Sequence, residues 1–375
     1  MEFDPAKEGQ NTYRPLILSP ISPADSKIIA ALKNHGSIVV SDTIENQVGE
    51  LIKINHPTEV FSPEVLQDRV TAYFEGTDKE TFGVWVYYPW RDTLVRVLEE
   101  KDFIRVRTSR NRFKIRDEEQ EILQDKKIGI IGLSVGQSVA LSLAMERAFG
   151  ELRIADFDTL ELSNMNRIRT GLYNLGIKKT WMVAREIAEI DPFLKLTVYD
   201  DGITEENMHD FLTFGGKLDI LIDECDSLAI KISSRLKAKS MGIPVLMDTS
   251  DRGMMDVERF DLEPTRPIFH GLLSDFGREN DLLEMLKENA QDILMKILDV
   301  EKLSIRAKES LSQIGKTITT WPQLASTVFM GGGACGHIAR LILLDNNVNS
   351  ARYFVDLDEI IELNGGQGKD SKRGF

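Results

Sequence analysis

Five polar side chains in one stretch of the sequence could together bind phosphate groups. The stretch begins with Asp156 and Asp158, continues with Asn164 and Arg167, and is followed twelve residues later by Lys179. A guanidinium gives bidentate hydrogen bonds to phosphate oxygens, and an ammonium acts as a compact positive charge. Carboxylates and an amide beside these cations suit a nucleoside triphosphate that carries a divalent metal. The alternative is a solvated loop with a salt bridge between Asp158 and Arg167.

A glycine-containing turn precedes this stretch, in the sequence GLSVG from Gly132 through Ser134 to Gly136. We expect the turn to join a strand to a helix whose first backbone amides point at an anion. The motif has one glycine fewer than the usual GxGxxG, and an ordinary tight turn would also explain it. Asp156, twenty residues after Gly136, favours a nucleotide site, because an acid at this position binds ribose hydroxyls. That feature suits NAD and ATP alike.

The elements that must position these residues alternate regularly from Lys126 onward. Apolar strands followed by amphipathic helices are typical of a parallel sheet covered on both faces. Right-handed crossovers place the loops after the strands along one edge, where open sheets of this type bind ligands. We therefore predict an α/β fold with a Rossmann-like, doubly wound, mostly parallel sheet. The predicted elements are 127–131, 136–148, 151–155, 179–190, 194–199, 204–214, 218–223, 227–241, 243–247, 323–344 and 352–357.

The sequence DFDTLELSNMNR from Asp156 to Arg167 resembles that of the ThiF/MoeB/HesA adenylating enzymes, relatives of the ubiquitin-activating enzymes. The likeness includes GIKK, which ends at Lys179, and DECD, which ends at Asp226, and it spans about residues 105–360. Within the superfamily the chain is most similar to a bacterial subgroup whose longer members continue into a nitroreductase-like flavin domain. We expect that extension to be absent here.

The resemblance implies ATP and Mg²⁺ as cofactors and gives each residue a role. Asp156 would hold the ribose of ATP. The triphosphate would be gripped by Asn164, Arg167 and Lys179. Asp226 falls where the family binds magnesium near the reacting α-phosphate. The full set of residues expected at the nucleotide is Gly132, Ser134, Gly136, Asp156, Asp158, Asn164, Arg167 and Lys179.

A basic stretch just before the first predicted strand of the sheet stands out in an otherwise acidic chain. The stretch could be a solvated surface. It could also contact nucleic acid, although no RNA-binding motif accompanies it. The resemblance offers a third interpretation, in which an arginine pair reaches across a homodimer interface into the partner's triphosphate site. Arg110 and Arg112 match that pair best, and we take Arg110 as a catalytic residue. The cluster comprises Arg105, Arg107, Arg110, Arg112, Lys114 and Arg116.

The cysteines and histidines do not indicate a further catalytic or metal site. Only Cys225 and Cys335 are present, so neither a disulfide framework nor the two zinc-binding pairs of many relatives can form. We expect both cysteines to be small packed residues, Cys335 within a glycine run that lets two backbones approach closely. The five histidines show no ligand spacing. His270 could face a substrate channel, although a packed or surface role is the ordinary one.

Composition excludes several classes of protein. Of the 375 residues 42% are hydrophobic and 28% charged, so a substantial core can form. The formal net charge of −14 argues against a uniformly phosphate-binding surface. No apolar run reaches the roughly 18 residues of a membrane-spanning helix. The polar N-terminus is unlike a secretory signal, and we expect a cytoplasmic protein.

We predict two domains and a tail. Residues 1–115 form a small mixed α+β domain, in which Ser62 and Pro63 predict the start of a helix. Residues 116–364 form the ThiF-type adenylation domain, and residues 365–375 a mobile tail.

The function implied by the resemblance is ATP- and Mg²⁺-dependent activation of a carboxylate as an acyl-adenylate. The carboxylate could belong to a peptide or carrier-protein C-terminus or to a small molecule; a tRNA-borne carboxylate also stays open, although nucleic acid is not the expected partner. One alternative is an NAD-dependent oxidoreductase, against which Asn164, Arg167 and Lys179 argue because hydride transfer does not need them. The other is a non-catalytic, nucleotide-binding descendant of the family.

Overall fold

The computed structural model describes residues 12–76 and 78–365. The chain forms two compact units, one made of Met1–Glu121 with Ala184–Leu194 and the other of Ile122–Val183 with Lys195–Phe375. The predicted boundary at residue 115 stays a prediction, and residues 366–375 of the predicted tail lie outside the described residues. Within the described ranges, no helix combines the length and the apolar character needed to cross a membrane.

The first unit is built on a four-stranded sheet. Strands β1 and β4 both pair antiparallel with β3, and β2 pairs parallel with β4. Trp85, Tyr87 and Leu94 from this sheet are almost completely buried against α1. Helix α3 begins as predicted, with Pro63 in its first turn and the Ser62 hydroxyl accepting a hydrogen bond from a backbone amide. The elements are β1 (Leu16–Leu18), α1 (Pro23–Lys33), β2 (Val39–Asp42), α2 (Ile44–Asn55), α3 (Pro63–Tyr73), β3 (Val84–Tyr88), β4 (Thr93–Val97), α4 (Glu100–Arg107) and α5 (Asp117–Leu123).

The second unit contains a seven-stranded, mostly parallel sheet, which confirms the predicted fold class. Its elements are β5 (Lys127–Ile131), α6 (Gly136–Glu146), β6 (Glu151–Ala155), α7 (Lys179–Ile190), β7 (Lys195–Tyr199), α8 (Met208–Thr213), β8 (Ile220–Asp223), α9 (Leu228–Ser240), β9 (Val245–Asp248), β10 (Met254–Glu258), α10 (Leu282–Leu298), α11 (Ile305–Leu311), α12 (Ala325–Leu343), β11 (Ala351–Phe354) and α13 (Leu357–Gly365). The strand order is β11-β10-β9-β8-β5-β6-β7. Helix α7 is divided between the two units after Val183.

The two strands at one edge of this sheet depart from the parallel pattern. Strand β10 runs antiparallel to β9, and β11 runs antiparallel to β10. The sequence did not predict β10, because Asp256 and Glu258 interrupt its apolar pattern. Both carboxylates are nevertheless buried, Asp256 in an ion pair with Arg352 and Glu258 in one with Arg235. Buried ion pairs therefore replace apolar contacts along this strand.

A glycine run on α12 allows the helix to pack closely on its neighbours, as predicted for the segment around Cys335. A Cβ on Gly331 would lie 1.8 Å from the nearer carboxylate oxygen of Asp248, and one on Gly332 would lie 2.5 Å from the Cβ of Ser138 in α6. Neither position has room for a side chain. A Cβ on Gly333, by contrast, would meet no described atom within 4 Å.

We expect Gly332→Ala to lower the free energy of unfolding by about 1–3 kcal/mol, because the added methyl group would push α12 off α6. Gly333→Ala is the matched control in the same helix. It should leave stability unchanged or raise it by about 0.5–1 kcal/mol, since alanine loses less conformational entropy on folding than glycine. Urea denaturation measures both. Equal effects of the two substitutions would contradict the close packing of α6 and α12.

Candidate functional site

The glycine turn follows β5 directly and packs against the segment that follows β8. Gly132 has a φ of +88°, in the left-handed region, and a Cβ there would lie 2.6 Å from the backbone of Glu224. Gly136 begins α6, where a Cβ would lie 2.8 Å from the Ile130 side chain. No side chain in the described ranges caps α6. Among the first amides of this helix, that of Ser138 already donates to the Val135 carbonyl at 3.0 Å.

Asp156 ties the end of β6 to the glycine turn. Its carboxylate accepts hydrogen bonds from the backbone amides of Leu133, at 2.7 Å, and Asp158, at 2.8 Å. Burial raises the pKa of Asp156, while the charge of Lys179 and these two amides act in the opposite direction. Each carboxylate oxygen can accept a further hydrogen bond, which leaves acceptor capacity for a ribose hydroxyl. The tie to Leu133 was not predicted, since sequence spacing does not show which donors an acid meets.

Lys179, Asp158 and Ser134 form a polar cluster beside the turn. The Lys179 Nζ lies 2.7 Å from the Asp158 carboxylate and 3.2 Å from the Ser134 hydroxyl oxygen. The Lys179 side chain is only 5% exposed, whereas that of Asp158 is 50% exposed. A buried ammonium held between the turn and the end of β6 is placed to meet an anion at the turn. In the described part of the chain the ion pair of Asp158 is with Lys179, not with Arg167 as the solvated-loop alternative supposed.

Asn164 and Arg167 lie on and just after a 3₁₀ helix, Leu162–Asn166. The side-chain oxygen of Asn164 accepts a hydrogen bond from the Glu161 amide at 3.1 Å and so helps to fix the start of this helix. The Arg167 Nη1 donates to Asn166 at 3.0 Å, while its Nε is buried without a hydrogen-bond partner among the described residues. Burial lowers the pKa of Arg167, and the charge of Asp226 opposes that shift. Arg167 and Asp226 are therefore electrostatic neighbours.

Asp226 is exposed at the end of the segment that follows β8. Among the described residues, no three His, Cys, Asp or Glu side chains are arranged to hold a metal ion. Mg²⁺ that is bound with a nucleotide commonly uses one or two protein carboxylates, with phosphates and water as its other ligands. The assignment of Asp226 as such a carboxylate stays a prediction.

Two carboxyl groups that the sequence pattern does not indicate are buried beside the turn. Glu224 accepts a hydrogen bond from the Asp248 amide at 2.9 Å, and its side chain lies against Gly136. Burial, together with the charge of Asp248, raises the pKa of Glu224 well above its ordinary value. Burial also raises the pKa of Asp248 to about 7. Acidic residues at the ends of strands are commonly turn residues. Only the burial of Glu224 and Asp248 in the structure distinguishes these two from such residues.

Asp248 should make the stability of the chain depend on pH. Its folded pKa of about 7 lies above the ordinary 3.8, so the folded chain holds this proton more tightly than the unfolded chain. This stabilisation is complete below pH 3.8 and is lost as the pH rises to about 7. Asp248→Asn, which mimics the protonated group, should therefore lose less stability between pH 4 and pH 7 than the parent chain. Urea denaturation across this range measures the difference. Asp201→Asn is the control, because the Asp201 side chain is 94% exposed. Parallel curves of stability against pH for Asp248→Asn and the parent would contradict the predicted role of Asp248.

The remaining candidates, the two cysteines and His270, are packed or engaged in polar contacts. The Cys225 thiol donates to Asp223 at 3.0 Å, and burial raises the pKa of both Cys225 and Cys335, which disfavours a reactive thiolate. Both ring nitrogens of His270 are engaged, one 2.9 Å from Asp256 and the other 3.0 Å from Arg266. His270 is thus part of a packed polar network, the ordinary role considered for it.

The basic stretch belongs to the first unit. Arg110 is exposed on a 3₁₀ turn, Ser109–Asn111, and Arg112 is exposed with an ion pair to Asp117 at 2.7 Å. Arg107 instead pairs with the fully buried Asp191 at 3.0 Å. The arginines of the stretch therefore differ in role, and Arg107 is structural. The assignment of Arg110 to a partner's site stays a prediction.

Comparison with known proteins identifies the family. The ThiF family matches residues 108–362, which is more than half of the chain and includes the glycine turn, the polar cluster and Asp226. The chain belongs to the ThiF family. This confirms the resemblance noted in the sequence.

Three relatives illustrate the range of ThiF-like proteins. An uncharacterized protein of Mycobacterium tuberculosis is 42% identical over 278 residues, which are 74% of this chain and 38% of that protein. The tRNA threonylcarbamoyladenosine dehydratase of Bacillus subtilis is 26% identical over 41% of this chain and 60% of its own length. The molybdopterin-synthase adenylyltransferase of Haemophilus influenzae is 26% identical over 44% of this chain and 66% of its own. The matches thus span less than two thirds of each relative.

Proposed function

We propose that the chain is an ATP- and Mg²⁺-dependent adenylyltransferase that activates a carboxylate. The observation that carries the proposal is the buried Lys179, held with Asp158 and Ser134 beside a glycine turn in a ThiF-family chain. A hydride-transferring enzyme does not need an ammonium at this place, whereas a triphosphate does. Its relative from Haemophilus influenzae is named as an adenylyltransferase, which supports the same reaction class.

Different side chains bind different parts of the nucleotide. Asp156 binds the ribose, because its carboxylate can accept hydrogen bonds in addition to those from the two backbone amides. The glycine turn, with Asn164, Lys179 and Arg167, binds phosphate oxygens. The side-chain oxygen of Asn164 also fixes the start of the 3₁₀ helix that precedes Arg167. Bound Mg²⁺, held by Asp226, would supply further positive charge at the phosphates. These contacts stabilise the charge that grows on the phosphate oxygens as the reaction proceeds.

The reaction is an exchange of one phosphorus–oxygen bond for another. A carboxylate oxygen of the substrate attacks the α-phosphorus, and the bond from that phosphorus to the oxygen that bridges to the β-phosphate breaks. The products are an acyl-adenylate and pyrophosphate, which takes the electron pair of the broken bond. No general base is required, because a carboxylate is already ionised near pH 7. The task of the protein is therefore to position the two reactants and stabilise charge.

The substrate class and the assembly complete the proposal. A peptide or carrier-protein C-terminus and a small-molecule carboxylate are candidate substrates, and the name of the Bacillus subtilis relative keeps a tRNA-borne group open. We place the reaction in the cytoplasm and in a homodimer, with Arg110 of each subunit completing the partner's site.

Substrate-dependent exchange of labelled pyrophosphate into ATP tests the proposal. We expect exchange with at least one carboxylate in a panel of peptides and small acids, and a requirement for Mg²⁺. ATP binding without exchange for any acid would instead favour the non-catalytic descendant. Binding of NAD in place of ATP would favour the oxidoreductase. Either of these results contradicts the proposed reaction.

A further inference from the structure

A small recess, open to solvent, lies beside the edge strands β10 and β11. Met254 and Phe354 line it from these strands, and Lys302 lines it from the segment after α10. Thr249, which follows β9 directly, is also part of its wall. The recess therefore lies at the carboxyl ends of the parallel strands. The glycine turn and Asp226 lie at the same end of these strands.

Arg352 is a buried charged side chain in the wall of the recess. It lines the recess, and its side chain is only 8% exposed. Its Nε donates to Asp256 at 2.7 Å, but Nη1 and Nη2 are buried with no hydrogen-bond partner in the described part of the chain. Unsatisfied buried donors are unfavourable and rare in proteins. The outer pair of guanidinium nitrogens matches the two oxygens of a carboxylate.

The guanidinium of Arg352 is held in place by a chain of polar contacts. Asp256 binds Arg352 through one oxygen and the His270 ring through the other, and Arg266 donates to that ring. Phe269 and His270 both have positive φ, of 49° and 56°, a backbone conformation that persists only where its surroundings enforce it. The guanidinium of Arg352 is therefore anchored through its Nε to a packed polar network.

Acidic groups near the recess are already engaged elsewhere. Asp251 accepts hydrogen bonds from the amide and hydroxyl of Ser304, at 2.9 and 2.7 Å. Asp299 forms an ion pair with Lys302 at 2.7 Å. Neither carboxylate satisfies Arg352, so an anionic group that reaches its buried outer nitrogens would find two donors without a partner among the described residues.

We propose that this recess binds a second carboxylate of the substrate whose first carboxylate is activated. The substrate assignment rests on the proposed adenylation, but the anion site does not. Strand β8 leads to Asp226, and β10 and β11 lie two and three strand positions away from it. These positions correspond to a distance of roughly 10–14 Å. An extended chain covers that span in about three or four residues. The substrate is therefore peptide-like, with an acidic side chain a few positions before its terminal carboxylate.

The anion site is tested without ATP. Isothermal titration calorimetry with succinate should give saturable binding to the full chain and at least tenfold weaker binding to Arg352→Lys, which keeps a charge for Asp256 but loses the paired nitrogens. Thr249→Glu is the second variant: it brings a carboxylate into the recess and should abolish succinate binding while keeping or raising Tm. Absence of succinate binding to the parent chain, or equal binding to all three proteins, would overturn the proposal.

Pyrophosphate exchange distinguishes a substrate group from a separate anion. Two tetrapeptides serve as probes, one with glutamate and one with glutamine before three alanines. A substrate subsite predicts at least tenfold higher kcat/KM for the glutamate peptide and loss of that preference in Arg352→Lys. Succinate binding with no preference between the peptides would overturn the substrate assignment alone. Succinate binding in a chain that catalyses no exchange would refute the proposed adenylation and leave the anion site standing.

Discussion

Lys179→Met is expected to lower the rate of ATP–pyrophosphate exchange by about 10²–10³, the usual loss when one fixed donor to a developing charge is removed. The Lys179 ammonium is buried against Asp158 and Ser134 at the glycine turn, where the phosphates would lie. Methionine keeps the length and apolar stem of lysine and so leaves the packing of α7 intact. The loss should appear mainly in ATP binding and in kcat, with little change in Tm.

Lys178→Met is the matched control for this substitution. Lys178 is the adjacent residue, but its side chain is 37% exposed, and it contacts Asp200 and Asp201 rather than the turn. Exchange should stay within about twofold of the parent rate, because exposed ion pairs contribute little. If the two methionine variants lost activity equally, the placement of the triphosphate beside Lys179 would be wrong.

Arg110→Ala is expected to fold, to dimerise and to lose about 10³-fold or more of the exchange activity, since an arginine supplied in trans can contribute 10³–10⁵ to phosphoryl transfer. Arg110 is exposed in the first unit and lies on a short turn, so its removal should not disturb the fold. Arg105→Ala is the control, because Arg105 is exposed in the same stretch but pairs with Asp102 and Asn55.

A mixture of two inactive variants tests whether Arg110 acts across a dimer. Random pairing of Arg110→Ala with Lys179→Met chains would make about half of the dimers mixed, each with one intact site, and restore about a quarter of the parent activity. Action of Arg110 within its own subunit restores none. Full activity of Arg110→Ala alone would remove this residue from the site.

The parallel core of the fold could be predicted because its strands are mainly apolar and alternate with amphipathic helices. Strand β10 could not, because Asp256 and Glu258 are buried through ion pairs that come from β11 and α9. The last strand was predicted at 352–357 but spans Ala351–Phe354. Edge strands are short and less apolar, so their limits depend on partners that sequence periodicity does not show.

The site could be predicted as a set of residue types but not as a set of contacts. The spacing of Asp156, Asp158 and Lys179 indicated a phosphate site, and the structure brings Lys179 and Asp158 together. The Glu224–Asp248 pair could not be predicted, because a carboxylate at a strand end is equally compatible with exposure and burial. The unpaired nitrogens of Arg352 are a property of three-dimensional packing alone.

Calorimetric titration with ATP–Mg²⁺ and, separately, with NAD tests the central claim most directly. We expect saturable binding of ATP that requires Mg²⁺, no binding of NAD, and at least tenfold weaker ATP binding to Lys179→Met than to Lys178→Met. Binding of NAD, or ATP affinity that is the same in both lysine variants, would contradict the claim that Lys179 and its neighbours form a triphosphate site.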